Sequence, residues 1–198
     1  MIKTQITEFY QFYPCNVALV GACKGKQVNF MAAAWNTGLS FKPPLFGIAI
    51  APQRYTYGLI TESREFTCNF LSIEHLKQIH GTGRVSGRDI DKVKAFRIDL
   101  EESQVIDCPT IASAYAAYEC RLVHQYPVGD HDFFVGEVVA IHTDPEVIQN
   151  NGLLDPEKIP FTLYLGSNTY LSTDPRQVIS MPVEITLPGS KLTPYQMD

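Results

Sequence analysis

The sequence lacks the signals of a membrane or secreted protein. No apolar run in its 198 residues reaches the roughly 18 residues that a membrane-spanning helix needs. The first 14 residues lack the apolar core of a signal peptide. The five cysteines are odd in number and include no CxxC pair, which argues against a disulfide framework. These absences predict a protein of the reducing cytoplasm with no membrane partner.

The motifs of several common enzyme classes are also missing. The chain has no GxGxxG or GxxxxGK[ST] phosphate-binding loop, no GxSxG nucleophile turn and no HExxH metal pair. The five histidines show no metal-ligand spacing, so no metal site is predicted. The net charge is −5, the opposite sign to that of most proteins that bind nucleic acid, so no such partner is expected.

What the chain does contain is a series of short strand-like segments bounded by glycine and proline. Two apolar runs separated by Lys24-Gly25-Lys26 predict a β-hairpin over 17–23 and 28–35. Short helices are predicted at 56–64 and 72–79, the second ended by Gly81 and Gly83. Further strands are predicted at 45–51, 65–71, 113–126, 133–142, 161–165 and 170–172.

The element count indicates a mainly β protein with short helices, a β-barrel of the α+β type. A doubly wound sheet does not fit, because the long alternation of strands and helices is missing. The length predicts a single domain over 1–198. Four prolines after Asp174 predict an extended C-terminal tail from about residue 174.

The stretch 29–44 is a candidate ligand loop. It leaves a strand through three alanines and enters small polar residues, which would let a flat ligand approach the backbone. Trp35, the only tryptophan, could cover a ring face, and the other candidate contacts are Asn29, Asn36, Thr37 and Ser40. The alternative is a plain hairpin exit whose two prolines set up the next strand.

A second candidate is a local excess of positive charge in an acidic protein. Residues 77–97 hold six of the 16 basic residues, and 86–92 reads SGRDIDK. A glycine turn beside hydroxyl and cationic groups can bind a small phosphate through charge-assisted hydrogen bonds. Arg54 is a further candidate phosphate partner. The alternative is a solvated loop with local ion pairs.

The third candidate is His131, in the stretch GDHDFFVGE at 129–137. A histidine at the start of a strand could orient a substrate or assist proton transfer near neutral pH. The alternative is a loop histidine bonded to Asp130 or Asp132.

Taken together, these stretches resemble the flavin reductase-like family, and within it the flavoredoxin branch. The resemblance covers residues 12–142, and its motifs stand in the family's order. They are Pro14 with VALVGA at 17–22, NxMAAAWNT at 29–37, SFKPP at 40–44, PQRYTY at 52–57, EFxxN at 65–69, SGRDIDK at 86–92 and GDHxxFVGEV at 129–138.

The resemblance implies an FMN-binding split β-barrel that forms a homodimer with one FMN per subunit. The ring and ribityl chain would be lined by Asn29, Ala34, Trp35, Asn36, Thr37 and Ser40. The phosphate end would be held by Pro52, Arg54, Ser86, Gly87 and Lys92. His131 would lie near the redox face, where a nicotinamide could dock.

Three functions stay open at this point. The first is an enzyme in which NADH or NADPH reduces FMN, which passes electrons to free flavin, ferric iron or a redox protein partner. The second is a flavoredoxin-type carrier between redox proteins with little direct nicotinamide activity, favoured by the absence of a nicotinamide-nucleotide motif. The third is a binding or assembly module without flavin.

Overall fold

The computed structural model describes residues 4, 6 and 9–179, and the backbone of two short strands at 185–187 and 190–192. Most of its regular structure is β-sheet, as the sequence predicts. The strands are β1 (Cys15–Asn16), β2 (Ala18–Lys24), β3 (Gln27–Ala33), β4 (Asn36–Phe41), β5 (Pro44–Ile50), β6 (Glu65–Phe70), β7 (Leu100–Glu101), β8 (Thr110–Ile111), β9 (Ala116–Val128), β10 (His131–Thr143), β11 (Thr162–Gly166), β12 (Thr169–Ser172), β13 (Ile185–Leu187) and β14 (Ser190–Leu192).

Seven of these strands form one antiparallel sheet in the order β3-β2-β6-β9-β10-β5-β4. The second strand in this order, β2, is buried from Ala18 to Cys23. Val20 belongs to the larger apolar cluster and Leu19 to a second one, so both faces of β2 are covered. This double burial explains why the run reads as continuous apolar sequence rather than as an alternation.

The predicted hairpin over 17–23 and 28–35 is confirmed, with Ala18 paired to Ala33 and Lys24 to Gln27. Its turn places Gly25 at a φ of 57°, in the left-handed region that glycine adopts without steric cost. A long hairpin of β9 and β10 likewise confirms the second predicted pair.

The stretch after the alanines is a strand and not the predicted loop. Residues Asn36–Phe41 form β4 at the sheet edge, where Asn36 pairs with Ile48 and Gly38 with Phe46 of β5. Its small polar residues carry little strand signal of their own. The strand forms because β5 supplies its backbone partners, which is a contact outside the local sequence.

The second helix is longer than predicted. After a 3₁₀ turn at Ile73–His75, α2 runs over Leu76–Arg84, straight through Gly81 and Gly83. A Cβ atom on Gly81 would lie 2.2 Å from the Phe96 ring, so this glycine allows close packing and does not end the helix. The other helices are α1 (Tyr55–Ser63) and α3 (Lys92–Ala95).

This packing predicts opposite effects for two helical glycines. We expect Gly81→Ala to destabilise the protein by about 1–3 kcal/mol, because the added methyl group overlaps Phe96. Gly58→Ala in α1 is the matched control, since a Cβ there meets nothing within 4 Å. It should stabilise the protein by up to about 1 kcal/mol through helix propensity. Urea unfolding measures both, and a neutral Gly81→Ala would contradict the packing argument.

The chain end contains a 3₁₀ turn at Pro175–Gln177 and the antiparallel pair β13–β14. The predicted extended tail from about residue 174 otherwise lies outside the described residues. Among the described residues, none of the helices has the length and apolar character required to cross a bilayer.

Candidate functional site

Two adjoining cavities collect most of the predicted site residues. The first has a volume of about 520 Å³ and the second about 480 Å³. They share the wall formed by Met31, Arg54, Gly83 and Arg84, so together they form one elongated site. We call the first the basic cavity and the second the aromatic cavity.

The basic cavity is lined by an excess of cations. Four basic side chains line it, against the single carboxylate of Asp89. These cations are Arg54, Arg84, Arg88 and Lys92. They come from the start of α1, the end of α2, the loop between α2 and α3, and the first residue of α3. Such a cluster in a protein of net charge −5 is suited to an anion such as a phosphate.

Lys92 is held at the base of this cavity. Its side chain is buried, and its Nζ donates hydrogen bonds to the carbonyls of Phe30 at 2.9 Å and Thr82 at 2.7 Å. Burial, and then the charge of the nearby Arg54, lower the pKa of Lys92 to about 8. An ammonium group has three N–H donors, so one remains for a ligand beyond these two carbonyls. A bound anion would relieve the repulsion between the two cations.

The side chain of Asn29, beneath the loop at 86–90, supports the interpretation of this region as a ligand-binding site. Asn29 is buried in β3, and its Nδ2 donates to Thr56 Oγ1 at 2.8 Å. Its Oδ1 has no hydrogen-bond partner among the described residues. A Cβ atom on Gly87 would lie 2.1 Å from that oxygen, so only glycine lets the loop pass so close. A buried unpaired acceptor is uncommon and marks a place where a ligand donor would be stabilising.

The aromatic cavity has one wall of small side chains. Alanines of β3 and β5 and the residues that follow them, at 32–34, 49 and 51, line this wall. Trp35 and His131 stand beside it, with ring centroids 4.8 Å apart. His131 Nδ1 lies 2.7 Å from Asp130 Oδ1, the contact expected of a loop histidine. His131 is therefore both bonded to its neighbour and exposed to the cavity.

The predicted site residues do not all meet here. The structure brings together Ala34, Trp35, Arg54, Ser86, Gly87, Lys92 and His131 in the linings of the two cavities. Asn29 lies just below, in the lining of a further cavity of about 460 Å³. Four others lie outside both linings, and their contact with a ligand stays a prediction. They are Asn36, Thr37, Ser40 and Pro52.

Asn36 stabilises the local backbone through its side chain. Its Nδ2 donates to the carbonyl of Ala33 at 2.8 Å and to that of Asn16 at 3.1 Å. These bonds hold the bend between β3 and β4, which sets the position of Trp35 between them.

Sequence reasoning missed several lining residues. Thr56, Arg84 and Arg88 line the basic cavity, while Tyr10, Tyr13 and Tyr164 line the aromatic cavity. Arg84 and Arg88 belong to the basic stretch at 77–97, and Arg88 to the motif SGRDIDK, but the sequence assigns neither residue a role in the phosphate site. Tyr10 and Tyr13 carry one available signal, the dense aromatic run FYQFY at 9–13.

Comparison with known proteins identifies the family. The profile described as flavin reductase like domain matches residues 10–179. An FMN-binding protein from Thermus thermophilus, solved with bound 1-cyclohex-2-enone, superposes with a TM-score of 0.82. It is 35% identical, and the match covers 91% of this chain and 98% of that one.

Two further solved structures have the same fold. A flavoredoxin from Methanosarcina acetivorans gives a TM-score of 0.78 at 27% identity, over 88% of this chain and 92% of that one. A split-barrel-domain protein from Shewanella frigidimarina gives 0.77 at 22% identity, over 85% of each chain. The sheet described above is thus the sheet of a split barrel. Because the family profile spans most of the sequence, the protein belongs to the flavin reductase-like family.

Proposed function

We propose that the protein binds FMN in the two adjoining cavities and transfers electrons from NADH or NADPH through it to an acceptor. The observation that carries the proposal is the direct junction of a cationic cavity with one walled by small residues. A flavin mononucleotide has the matching parts, a phosphate at one end and a planar ring at the other.

The residues present fit this cofactor. Arg54 and Lys92 would hold the phosphate through charge-assisted hydrogen bonds. Asn29 lies in the further cavity that shares Gly87, Arg88 and Asp89 with the basic cavity, and its unpaired Oδ1 would accept from a ribityl hydroxyl that reaches this border. The alanine wall at 32–34 would lie against the ring, with Trp35 at its border. The relative from Thermus, described as FMN-binding, supports the same assignment.

The flavin, when bound, supplies the hydride and electron chemistry. The chain's own residues bind and orient the reactants. His131 would position a nicotinamide at the open side of the aromatic cavity, with its ring orientation set by the bond to Asp130. That bond lowers the pKa of the Asp130 carboxyl.

A flavoredoxin-type electron carrier is the second candidate. It is favoured by the likeness to the Methanosarcina flavoredoxin and by the absence of a nicotinamide-nucleotide motif in the sequence. In this case a redox protein would replace the nicotinamide as electron donor. We further propose a single domain over 1–198 that works as a homodimer in the cytoplasm, as the family resemblance and the cysteine pattern suggest.

An anaerobic titration of the FMN-loaded protein separates these functions. For the reductase we expect the visible flavin absorbance to bleach on addition of NADH or NADPH. Bound flavin that stays yellow with both, but bleaches with a reduced ferredoxin-like protein, would support the carrier. A protein that remains colourless after incubation with FMN would contradict both and favour a flavin-free binding module.

The low pKa of Lys92 predicts that FMN affinity depends on pH. The Lys92 side chain carries a positive charge below about pH 8 and loses this charge as the pH rises above that value. The dissociation constant should therefore rise about tenfold between pH 7 and pH 9. The phosphate does not cause this change, because its second pKa is about 6. Fluorescence titration at each pH measures the dissociation constant of FMN. Riboflavin has no phosphate, so it serves as the control, and its binding should not depend on pH.

A further inference from the structure

Part of the lining of the aromatic cavity, Tyr10 and Tyr13, comes from an exposed aromatic segment. Phe9, Tyr10, Phe12 and Tyr13 fall within five residues just before β1. Three of them remain exposed, with Phe9 at 58%, Tyr10 at 43% and Phe12 at 53%. A cluster of exposed aromatic side chains at the mouth of a cavity is typical of a binding site and is not explained by the core. We call residues 9–13 the aromatic segment.

The aromatic segment is anchored to the cavity. Trp35 Nε1 donates a hydrogen bond to the Tyr13 hydroxyl at 3.1 Å. The Tyr13 ring packs 5.7 Å from Tyr164 of β11, and the Phe9 ring stacks 6.1 Å from Trp35. Tyr10 in turn stacks 5.5 Å from Tyr13. Phe9 and Tyr13 are thus held by Trp35 and Tyr164, and Tyr10 is held by Tyr13 while its side chain stays partly exposed.

Polar groups complete the far side of this space. The turn between β11 and β12 brings Ser167 and Asn168 to the lining, both with positive φ values of 47° and 66°. Such φ values are usual in tight hairpin turns and favour asparagine. His131 lines the same cavity. The side chains of Asn168, Ser167 and His131 can each donate a hydrogen bond to a carbonyl oxygen on the ring of a ligand.

We infer that the aromatic segment binds the electron acceptor and that this acceptor is a planar aromatic carbonyl compound of the quinone class. The inference rests on the proposed function, which leaves the acceptor open. Flat aromatic side chains stack on a planar ring, and the polar border would receive its carbonyl oxygens. The overall reaction balances as NADH, one proton and a quinone giving NAD⁺ and a hydroquinone. The quinone gains two electrons and two hydrogens.

The test compares Tyr10→Leu with the matched control Tyr126→Leu. Both tyrosines are about half exposed, but Tyr126 lies near the tip of the β9–β10 hairpin, outside the cavity linings. The probe is 1,4-naphthoquinone-2-sulfonate, and ferricyanide is the comparison acceptor because it has no ring to stack. Calorimetry on the oxidised FMN-loaded protein gives the probe's dissociation constant, and steady-state kinetics gives the KM of each acceptor.

For Tyr10→Leu we expect the dissociation constant and KM of the naphthoquinone to rise about fivefold, the loss of one stacked ring. The KM of ferricyanide should rise much less than that of the naphthoquinone, because ferricyanide has no ring to stack on Tyr10. Tyr10 also lines the cavity proposed for FMN, so the acceptor constants are compared on protein saturated with FMN. The inference would be overturned if the naphthoquinone constants were equal in wild type and Tyr10→Leu, or if Tyr126→Leu lost as much affinity as Tyr10→Leu. It would also be overturned if the wild type did not bind the naphthoquinone. If NADH fails to bleach the flavin, the proposed reductase fails, while the calorimetric comparison still decides the acceptor site.

Discussion

Arg54→Ala should weaken FMN binding by about 10- to 150-fold, which corresponds to about 1.5–3 kcal/mol for a charge-assisted hydrogen bond. Arg54 lines both cavities at their junction and lies close enough to Lys92 to lower its pKa. Its guanidinium can bind a phosphate through two parallel hydrogen bonds. Fluorescence titration of the apoprotein with FMN measures the change.

The control for this prediction is Lys77→Ala. Lys77 is an exposed cation on α2 that lines neither cavity, so the variant makes the same change in net charge. Its FMN affinity should match that of the wild type. If both variants lose affinity equally, the effect comes from the overall charge and not from a phosphate contact. Unchanged affinity in folded Arg54→Ala would remove Arg54 from the phosphate site.

Lys92→Ala is expected to lose FMN affinity by a similar factor, but this substitution also removes structural hydrogen bonds. The ammonium also binds the carbonyls of Phe30 and Thr82, so its removal leaves two buried acceptors without that donor. Thermal unfolding of the apoprotein should therefore shift to lower temperature in this variant. Arg54 has no such internal bonds among the described residues, which makes it the cleaner probe of the ligand contact.

The largest effect on stability is expected from Glu119, a fully buried carboxylate in β9. Its Oε1 accepts from the backbone N–H of Gln104 at 2.7 Å, and its Oε2 accepts from those of Val105 at 2.8 Å and Ile106 at 3.1 Å. His142 Nε2 contacts Oε1 at 2.5 Å. Burial raises the pKa of this carboxyl, but these hydrogen bonds outweigh burial and leave the pKa below its usual value.

We expect Glu119→Ala to destabilise the protein by about 3–5 kcal/mol. The substitution removes the acceptor for three consecutive backbone N–H groups, which hold the loop before β8 against the sheet. Urea unfolding of the wild type and the variant gives the difference in free energy. Because the carboxyl pKa is lowered in the folded state, this stability should be present at neutral pH and decline as acid protonates Glu119.

Glu62→Ala serves as the matched control for Glu119. Glu62 forms an ion pair with Lys24 at 2.6 Å, but both side chains are more than half exposed. Solvent screens such exposed pairs and they contribute little to stability, so this variant should unfold close to the wild type. A loss in Glu119→Ala no larger than that in Glu62→Ala would show that the loop is held by other contacts.

The hairpin of β2 and β3 shows what local sequence can determine. Two apolar runs and a Lys-Gly-Lys turn lie next to each other in the chain, and the turn residues suit the backbone that the hairpin needs. The prediction succeeds because every requirement is met within about fifteen residues. The strands of the β9–β10 hairpin follow the same reasoning.

The strand β4 and the helix α2 show where local sequence is insufficient. Asn36–Phe41 reads as a loop, and it becomes a strand only because β5 pairs with it. Gly81 reads as a helix end, but α2 continues through it. Glycine is required there because the Phe96 ring occupies the space that a side chain would need. In both places a partner elsewhere in the chain decides the conformation, as tertiary packing commonly overrides propensity.

For the candidate site, the sequence by itself determined the chemical types of residue: the alanine run, the basic stretch with Arg54, and His131. Their order along the chain also carried the family resemblance. Only the tertiary structure decided which of them meet. It brought Arg54 near Lys92, His131 against Trp35 and Asn29 against Gly87, and it put Tyr10 and Tyr13 into the lining of the aromatic cavity. The physical reason is that these contacts join residues that lie far apart in the chain, on different strands, helices and loops, where no local propensity acts.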